Sequence, residues 1–372
     1  MALRRTLAAD AIAHLAEFDA IVDARSESEF AEDRLPGAVN WPSLNDAQRH
    51  RIGTEYKQAS PFEARKHGAA MVARNIAEHL DRHVGGLPRD WRPLVYCWRG
   101  GQRSGALAAV LDQIGFTVHV LEGGYREFRR AVIAELETLP SGIDLRVLCG
   151  RTGSGKSRLL RALAAQGAQV LDLEALACHR GSVLGPLPGV AQPSQKAFET
   201  DLWRALRGFD AARPVFSEGE SRTIGRLRLP ERLLERLRAA PCLHLEMPIE
   251  GRVALLSEDY SHFILDPERL CERLAVLREA RGAAVVERWQ ALAREGRIEL
   301  VRELLTGHYD PTYLKSMQRN FAQFDAARTV ALADGSAATL AATAAALIAE
   351  TDRGDSASPS AGAQGGWRCG LR

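Results

Sequence analysis

The sequence predicts an α/β protein built from two parallel β-sheets with helices on their faces. Short apolar runs alternate with helix-forming stretches in two successive blocks, which is typical of strand–helix–strand units. Each block also carries a glycine-rich loop directly after one of its apolar runs. The length of 372 residues suggests two domains, at a prior of roughly 150 residues per domain. We place the first domain at residues 1–140, the second at 141–350 and a tail at 351–372.

The first block contains four extended segments and two helices. Apolar runs predict strands or extended pieces at 18–24, 35–42, 92–97 and 116–124. Helical spacing predicts helices over 61–83 and 104–115. The stretch TLPSG at 138–142 has the composition of a turn and serves as the linker between the blocks.

The second block repeats the alternation and ends in a helical part. Strands are predicted at 144–149, 168–173, 213–218, 241–247 and 329–335, and a helix at 156–167. Residues 250–328 are rich in Leu, Arg and Glu, which favours helices. The tail beyond residue 350 is small and polar, so we expect disorder there.

Composition excludes several classes of protein. Hydrophobic residues make up 46% and charged residues 26% of the chain, which is ordinary for a globular protein. The net charge is only +2, so nucleic-acid binding requires a local basic face. No apolar run reaches about 18 residues, so no transmembrane helix is expected. Asp10, His14 and Glu17 interrupt the N-terminal segment, which argues against a secretory signal peptide.

The cysteines indicate a reducing compartment. They are spread singly, without any CxxC pair, at Cys97, Cys149, Cys178, Cys242, Cys271 and Cys369. This spacing argues against a zinc site or a disulfide framework and fits a protein of the cytosol. We therefore expect a cytoplasmic protein without a membrane partner.

The first glycine-rich loop, CWRGGQRS, runs from the end of a predicted strand to the start of a predicted helix. Its backbone N–H groups and the helix N-terminus favour negative charge near the Cys97 sulfur, and the same field lowers a thiol pKa. We predict Cys97 as the catalytic residue, although a buried cysteine beside an ordinary turn is the alternative. The remainder of the loop is the predicted site of an anionic donor: Trp98, Arg99, Gly100, Gly101, Gln102, Arg103 and Ser104.

Residues around this loop resemble a rhodanese domain. Asp23 and Arg25 match the Asp-x-Arg at the opening of such domains, and LPGAVN at 35–40 matches a following stretch. VYCWRGGQRSG falls where rhodaneses carry their persulfide-forming cysteine. Its C-x5-R spacing is one residue longer than the usual sulfurtransferase loop and is shared with rhodanese-like phosphatases. A wider loop suits a phosphate-like anion or a larger chalcogen. Tyr96 stands where many phosphatases have histidine, which disfavours a phosphatase.

The second loop, GRTGSGKS at 150–157, fits the P-loop pattern G-x4-G-K-[ST] in full. A predicted strand precedes it and a predicted helix follows it, which is the context that this motif needs. Lys156 then reaches a terminal phosphate, and Ser157 is a candidate Mg²⁺ ligand. The predicted phosphate-binding residues are Gly150, Thr152, Gly153, Ser154, Gly155, Lys156 and Ser157.

An acidic residue at the end of a neighbouring strand would complete such a site. Glu218 is the better candidate because the short apolar run PVF precedes it, and Asp172 is the alternative. The alternative interpretation of each residue is a solvated acid at the end of a strand, without a role in binding.

The order of the two domains, with CWRGGQRS in the first, is similar to the tRNA 2-selenouridine synthases. Four further segments resemble that family, namely DLEALACHRGSVLG (172–185), PVFSEGESRTIG (214–225), EDYSHF (258–263) and GHYDPTYLKS (307–316). The resemblance covers about residues 15–330.

This resemblance implies that wobble 2-thiouridine of tRNA is converted to 2-selenouridine, with selenophosphate as the selenium donor. It also implies that geranyl diphosphate first alkylates the sulfur, which makes sulfur a better leaving group. The implied partners are therefore tRNA, selenophosphate and geranyl diphosphate, with selenophosphate synthetase as a further candidate. Mg²⁺ is a candidate ion, and no tightly bound cofactor is implied. We assign the P-loop to the diphosphate and Cys97 to selenium transfer.

Two surfaces are predicted less specifically. The run 222–238 has six arginines against two glutamates, which favours either tRNA contact at Arg222, Arg226 and Arg228 or a solvated helix face. Apolar residues in 224–233 and 255–265 are candidates for a geranyl groove, with ordinary core as the alternative.

Three rival functions remain open at this point. They are a P-loop kinase with a rhodanese-like regulatory module, a C-x5-R phosphatase, and an anion-sensing module without turnover. The kinase would transfer or hydrolyse nucleotide phosphate without binding RNA, and the phosphatase would depend on Cys97 and Arg103.

Overall fold

A computed structural model describes residues 3–182 and 184–355 of the protein. Its strands are β1 (Arg4–Thr6), β2 (Ala20–Asp23), β3 (Ala38–Asn40), β4 (Pro93–Tyr96), β5 (His119–Leu121), β6 (Leu145–Gly150), β7 (Gln169–Leu171), β8 (Val215–Glu218), β9 (Thr223–Ile224), β10 (Leu227–Arg228), β11 (Cys242–Glu246) and β12 (Arg328–Ala331). Its α-helices are α1 (Ala8–Ala13), α2 (Glu27–Glu32), α3 (Asp46–Gln58), α4 (Pro61–His83), α5 (Gln102–Ile114), α6 (Gly124–Leu136), α7 (Lys156–Ala165), α8 (Leu173–Leu176), α9 (Gln195–Arg207), α10 (Glu231–Ala239), α11 (Ile249–Asp259), α12 (His262–Leu265), α13 (Pro267–Ala275), α14 (Arg278–Arg281), α15 (Ala283–Arg294), α16 (Glu299–Leu304), α17 (Asp310–Asn320) and α18 (Ala337–Asp355).

The N-terminal sheet has five parallel strands in the order β1-β5-β4-β2-β3. Its central strand β4 is buried at all four positions. A strand of a parallel sheet is covered on both faces, which explains why its sequence is a continuous apolar run. Val22 and Val95 of the sheet pack with Leu107 and Leu111 of α5 in one core cluster. Ligands of open parallel sheets bind at the carboxyl ends of the strands, and Cys97 follows β4 at that edge.

The second sheet also has five parallel strands, in the order β12-β11-β6-β8-β7. Strand β6 is central and leads through a glycine-rich loop into α7. Leu148 of β6, Leu160 of α7 and Phe216 of β8 belong to the core of this sheet. The loop therefore lies at the carboxyl edge of the central strand, as the first loop does in its own sheet.

Packing divides the chain into two compact units. Within the described residues, the first unit draws on the ranges Met1–Ile143, Leu173–Asp210 and Glu220–Leu237, and the second on Asp144–Asp172, Ala211–Gly219 and Arg238–Arg372. Helix α9 thus packs in the first unit, where Thr200 Oγ1 donates to Asp33 Oδ2 at 3.0 Å. A compact packing unit is not the same as a domain that folds independently. The predicted domain boundary at residue 140 therefore stays a prediction.

The predicted α/β class with two parallel sheets is confirmed. The helix predicted over 61–83 is α4 with the same bounds, because Ser60 caps the first turn and Pro61 occupies its first position. Helices α11 to α17 occupy the part that was predicted to be mainly helical.

The basic run 222–238 is not a single helix. Its first part forms the β9–β10 hairpin, and α10 begins only at Glu231, directly after Pro230. Leu233, Leu234 and Leu237 bury one face of α10. The interpretation as a solvated helix face therefore applies to the opposite face of α10 and not to residues 222–228.

The two apolar stretches considered for a geranyl groove contribute buried side chains to the core. Ile224, Leu227 and Leu233 are buried in the first unit, and Leu255 and Phe263 are buried in the second. These five side chains therefore belong to the core, whereas Leu256 of the second stretch is half-buried and Leu265 is exposed.

The C-terminal part of the described chain is helical. Helix α18 extends to Asp355, so it includes residues 351–355 of the predicted tail. The rest of that tail, residues 356–372 with Cys369, lies outside the described residues. Across the part of the chain that the structure describes, no helix combines the length and apolarity needed to cross a membrane.

Candidate active site

Cys97 is the first residue of the first loop, directly after β4, and is 4% exposed. Its sulfur accepts a hydrogen bond from Ser104 Oγ at 3.2 Å. The Ser104 hydroxyl also lies 3.3 Å from the carbonyl of Gly101, the residue that precedes α5. The first turn of α5 therefore holds a hydroxyl donor directly against the sulfur.

The loop lowers the pKa of the Cys97 thiol. Burial by itself raises this pKa, but hydrogen bonds from the Ser104 hydroxyl and from the N–H groups of Ser104 and Arg99 lower it. The positive charge of Arg103 lowers it further, and the net pKa lies below the ordinary value. The predicted inward-facing N–H groups thus stabilise the thiolate, which is the nucleophilic form.

Arg103 is held in an ion pair with Glu29. Its Nη1 lies 2.7 Å from Glu29 Oε2, and the side chains are 19% and 10% exposed. Arg49 reaches the same carboxylate at 3.1 Å. Burial raises the pKa of Glu29, but Arg103, the Ser26 N–H and Arg49 outweigh it, so the pKa is lowered. Glu29 is therefore a charged anchor for the arginine of the cysteine loop.

The back of the loop is fixed by residues that follow β5. Tyr125 N–H donates to Cys97 O at 2.8 Å, and Arg126 N–H donates to Trp98 O at 3.1 Å. Gly100 has φ +64°, and a Cβ there would lie 2.5 Å from Leu121 O. Only glycine fits at this position, which explains one of the two adjacent glycines in the sequence.

The second loop has the form expected of a P-loop. It begins at Gly150, the last residue of β6, and ends where α7 begins at Lys156. Lys156 Nζ donates to Gly150 O at 2.7 Å. The helix N-terminus and the loop N–H groups form the kind of site that binds phosphates.

A buried ion pair supports this loop from the helical part. Arg252 of α11 is 3% exposed and donates to Thr152 O through Nε at 2.9 Å and Nη2 at 2.8 Å. The same guanidinium donates to both carboxylate oxygens of Asp310, at 2.9 and 2.6 Å. Gly150 N–H donates to Tyr313 Oη. Two helices therefore hold the phosphate loop at two points.

The position of the strands favours Glu218 over Asp172 as the acid beside the P-loop. Glu218 ends β8, which pairs directly with β6, and it is 2% exposed. Asp172 follows β7, which β8 separates from β6.

The arginines predicted to contact tRNA are exposed, and protein groups bind two of their side chains. Arg222 pairs with Glu231 at 3.0 Å, and Arg226 Nη2 donates to Gln192 O at 2.6 Å. Arg228 donates its backbone N–H to Gln195 Oε1 at 2.9 Å. A tRNA contact at these arginines stays a prediction.

Four residues of the two sites were not identified from the sequence: Glu29, Arg252, Asp310 and Tyr313. Ser26 and Glu29 form an S-x-x-E capping box, which signals a helix start but not an anchor for Arg103. Asp310 and Tyr313 lie in the GHYDPTYLKS segment, but nothing in its sequence pointed to the P-loop.

Comparison with known proteins agrees with this arrangement. A family model for the rhodanese-like domain matches residues 7–131, and one for the tRNA 2-selenouridine synthase AAA domain matches residues 143–270. The tRNA 2-selenouridine synthase of Alcanivorax borkumensis is 35% identical over 79% of this chain and 88% of its own. That of Marinobacter nauticus is 33% identical over 79% of this chain and 87% of its own.

Among solved structures, a rhodanese-related protein from Thermoplasma volcanium is 20% identical and covers 34% of this chain and 92% of its own, with a TM-score of 0.23.

The fold and the two loops define a class of enzyme in which a rhodanese-like cysteine loop is joined to a P-loop α/β domain. The chain is more than 30% identical to two relatives over most of its own length and of theirs, and two family models match its domains. These findings narrow the class to one family. The chain belongs to the tRNA 2-selenouridine synthase family.

Proposed function

We propose that this protein converts wobble 2-thiouridine of tRNA to 2-selenouridine through an S-geranyl intermediate, in the cytoplasm. The observation that carries the proposal is the pairing of a cysteine loop that stabilises a thiolate with a P-loop, in a chain of this family. The relatives are named for the overall reaction, and the two donors are those that the family resemblance implies. Neither loop alone accounts for both an anionic selenium donor and a diphosphate.

In the first step, geranyl diphosphate alkylates the thiocarbonyl sulfur. The allylic C–O bond breaks and its electron pair leaves with diphosphate, while a sulfur lone pair forms the new C–S bond. The N3 proton of the uridine is released, so the product is neutral. The P-loop N–H groups and Lys156 bind the diphosphate and stabilise the charge that develops on it.

Oxygen donors at the P-loop fit a Mg²⁺ ion. Ser157 lies in the first turn of α7, and Glu218 ends β8, the strand that pairs with β6. Hydroxyl and carboxylate oxygens are the ligands that Mg²⁺ prefers. Bound there, the ion would supply further neutralisation of the diphosphate charge.

In the second step, selenium replaces the geranylated sulfur at C2. Selenophosphate and water react with the S-geranyl uridine to give 2-selenouridine, geranylthiol and phosphate, with no change of oxidation state. We assign selenium transfer to the Cys97 loop, whose N–H groups and Arg103 suit an anionic donor. Selenophosphate synthetase is the partner that would deliver this donor.

The test is mass spectrometry of the wobble nucleoside. Purified protein receives 2-thiouridine tRNA with geranyl diphosphate alone, and then with selenophosphate added. We expect S-geranyl-2-thiouridine in the first condition and 2-selenouridine in the second. Cys97→Ala should lose selenation and keep geranylation, whereas Lys156→Ala should lose geranylation.

Two outcomes would contradict the proposal. Loss of both steps in Cys97→Ala would reject the division of labour between the loops. No product in either condition, with active donors and intact tRNA, would reject the function. Nucleotide hydrolysis or turnover of aryl phosphates would then favour the kinase or the phosphatase.

A further inference from the structure

The helical part of the second unit brings an aromatic side chain to the phosphate loop. Tyr313 of α17 accepts the N–H of Gly150 at its hydroxyl. Its ring centroid lies 5.6 Å from Lys156 Nζ, and that ammonium donates to Gly150 O at 2.7 Å. The ring therefore borders both the first residue of the P-loop and the lysine that binds phosphate.

An aliphatic side chain contacts the same loop at another point. A Cβ placed on Gly153 would lie 2.9 Å from Leu256 Cδ1, so Leu256 rests directly on the loop backbone. Leu256 is half-buried and follows Arg252 by one turn of α11, on the face that supports the loop. Two side chains with hydrocarbon surface border the phosphate loop, and they offer contact to the apolar chain of a phosphate ester bound there but none to inorganic phosphate.

We infer that Tyr313 is a catalytic residue of the prenyl-transfer step, with its ring against the allylic carbon of the diphosphate ester, and that Leu256 contacts the hydrocarbon chain. This inference rests on the proposed function of the P-loop and names the residues that recognise the organic part of its substrate.

The chemistry of the step explains why an aromatic ring is useful there. As the allylic C–O bond breaks, its electron pair goes to diphosphate and positive charge builds on the allylic carbon until the sulfur lone pair closes the C–S bond. An aromatic face attracts a cation within about 6 Å of its centroid, and Tyr313 already lies within that distance of an ammonium. Because the charge on carbon exists only near the transition state, the interaction raises kcat rather than lowering KM.

A purely structural role of Tyr313 makes a different prediction. If the side chain only positions Gly150, its hydroxyl is the important group and the affinity for diphosphate should fall. Tyr313→Phe removes the hydroxyl and keeps the ring, whereas Tyr313→Leu removes both. Comparing the two variants separates the roles.

The experiment uses the full chain with 2-thiouridine tRNA and geranyl diphosphate. We measure kcat and KM for S-geranylation, and separately the Kd of inorganic diphosphate by calorimetry. Tyr313→Leu should have a kcat about tenfold below that of Tyr313→Phe, and the two variants should bind diphosphate with the same Kd within about twofold, because both lack the hydroxyl that accepts from Gly150. Tyr313→Phe should keep most of the wild-type kcat. Tyr56→Leu is the matched control, because Tyr56 lies on α3 and is 51% exposed.

Leu256→Ala tests the second half of the inference and remains informative if Tyr313→Leu does not fold. The variant should raise KM for geranyl diphosphate about fivefold, since apolar contact with the chain is lost. Its Kd for inorganic diphosphate should not change. A parallel loss of affinity for both ligands would overturn the assignment of Leu256 to the chain.

The failures of the inference and of the proposed function are distinguishable. A wild-type protein that makes no S-geranyl product overturns both. A wild-type protein that geranylates while Tyr313→Leu retains full kcat overturns the inference alone. An equal fall of kcat in Tyr313→Phe and Tyr313→Leu assigns the effect to the hydroxyl and overturns the role of the ring.

Discussion

Ser104 is the side chain that lowers the pKa of the Cys97 thiol most strongly. Its hydroxyl donates to the sulfur at 3.2 Å and, with N–H groups of the loop, lowers the thiol pKa against the effect of burial. A donor of this kind is worth about 1.5–3 kcal/mol when its acceptor is charged, and about 1.4 kcal/mol corresponds to one pKa unit.

We therefore predict that Ser104→Ala raises the pH at which selenation reaches half its maximal rate by about one unit. The wild-type midpoint should lie below the ordinary thiol pKa, because the thiolate is the form of Cys97 that we assign to selenation. Rates of selenation from pH 6 to 10 provide the measurement, and the geranylation rate in the same samples is the control. An unchanged midpoint in Ser104→Ala would show that the hydroxyl does not tune the thiol.

Glu29 holds Arg103 of the same loop in place through an ion pair. We predict that Glu29→Gln lowers selenation, leaves geranylation unchanged, and reduces the free energy of unfolding by about 1–2 kcal/mol at pH 7. The charged anchor of a half-buried arginine is lost in this variant. Glu63→Gln is the matched control, since Glu63 pairs with Lys66 on an exposed face of α4, where a pair contributes under about 1 kcal/mol.

The stability difference between wild type and Glu29→Gln should depend on pH. Because the pKa of Glu29 is lowered in the folded state, its contribution is fully present above the unfolded pKa of about 4.3. The contribution is lost as the pH falls through the folded pKa. Denaturation at pH 3 to 7 measures this trend, and a difference that persists at the lowest pH would contradict the role of the charge.

At the scale of elements, the contact of α11 and α17 with the phosphate loop depends on Arg252. We predict that Arg252→Ala destabilises the protein by about 3–5 kcal/mol, because Asp310 then keeps a half-buried charge without its main partner. The affinity for inorganic diphosphate should fall about tenfold, since Thr152 O loses both of its donors and the loop is less well ordered.

Calorimetry and chemical denaturation test this prediction. Arg302→Ala is the control, because its pair with Glu250 is exposed and contributes under about 1 kcal/mol. Should Arg252→Ala fail to fold, Arg252→Lys keeps the charge but loses the two-pronged geometry, and it should still weaken diphosphate binding. Wild-type affinity in either variant would mean that the loop is ordered without this contact.

The elements show what a single sequence can predict. Strand β6 and helix α7 were found because an apolar run, a glycine-rich loop and a regular helical pattern are contiguous. The sequence does not predict strand β1, because its residues Arg4–Thr6 are largely polar and the strand that it pairs with, β5, lies more than 100 residues away. The β9–β10 hairpin was missed because a dense run of arginines resembles a helix face.

The two sites show the same contrast between local sequence signals and contacts that are distant in sequence. Cys97 and Lys156 could be predicted because each lies within a short motif whose chemistry is local. Arg252 and Tyr313 could not, because their roles arise only when helices that are distant in sequence pack onto the loop. Sequence patterns thus locate the two loops, and the tertiary fold identifies the side chains that hold them.

At the scale of the whole molecule, the proposed chemistry uses two loops that belong to different compact units. The intermediate between the two steps is covalently attached to the tRNA, so it is not lost when the tRNA dissociates. Nothing in this chemistry requires the tRNA to stay bound between the two steps. A tRNA held mainly by phosphate contacts also dissociates readily as salt increases.

We therefore predict that two inactive variants complement each other. Cys97→Ala should stop at S-geranyl-2-thiouridine and Lys156→Ala should make no product, but a mixture of the two proteins with both donors should form 2-selenouridine. S-geranyl tRNA purified from the first variant should likewise be converted by the second. The measurement is nucleoside mass spectrometry over time, with each variant alone as control. Conversion of purified S-geranyl tRNA without conversion in the mixture would mean that the first variant does not release its product. Failure of Lys156→Ala to use purified S-geranyl tRNA would mean that the P-loop also takes part in selenation.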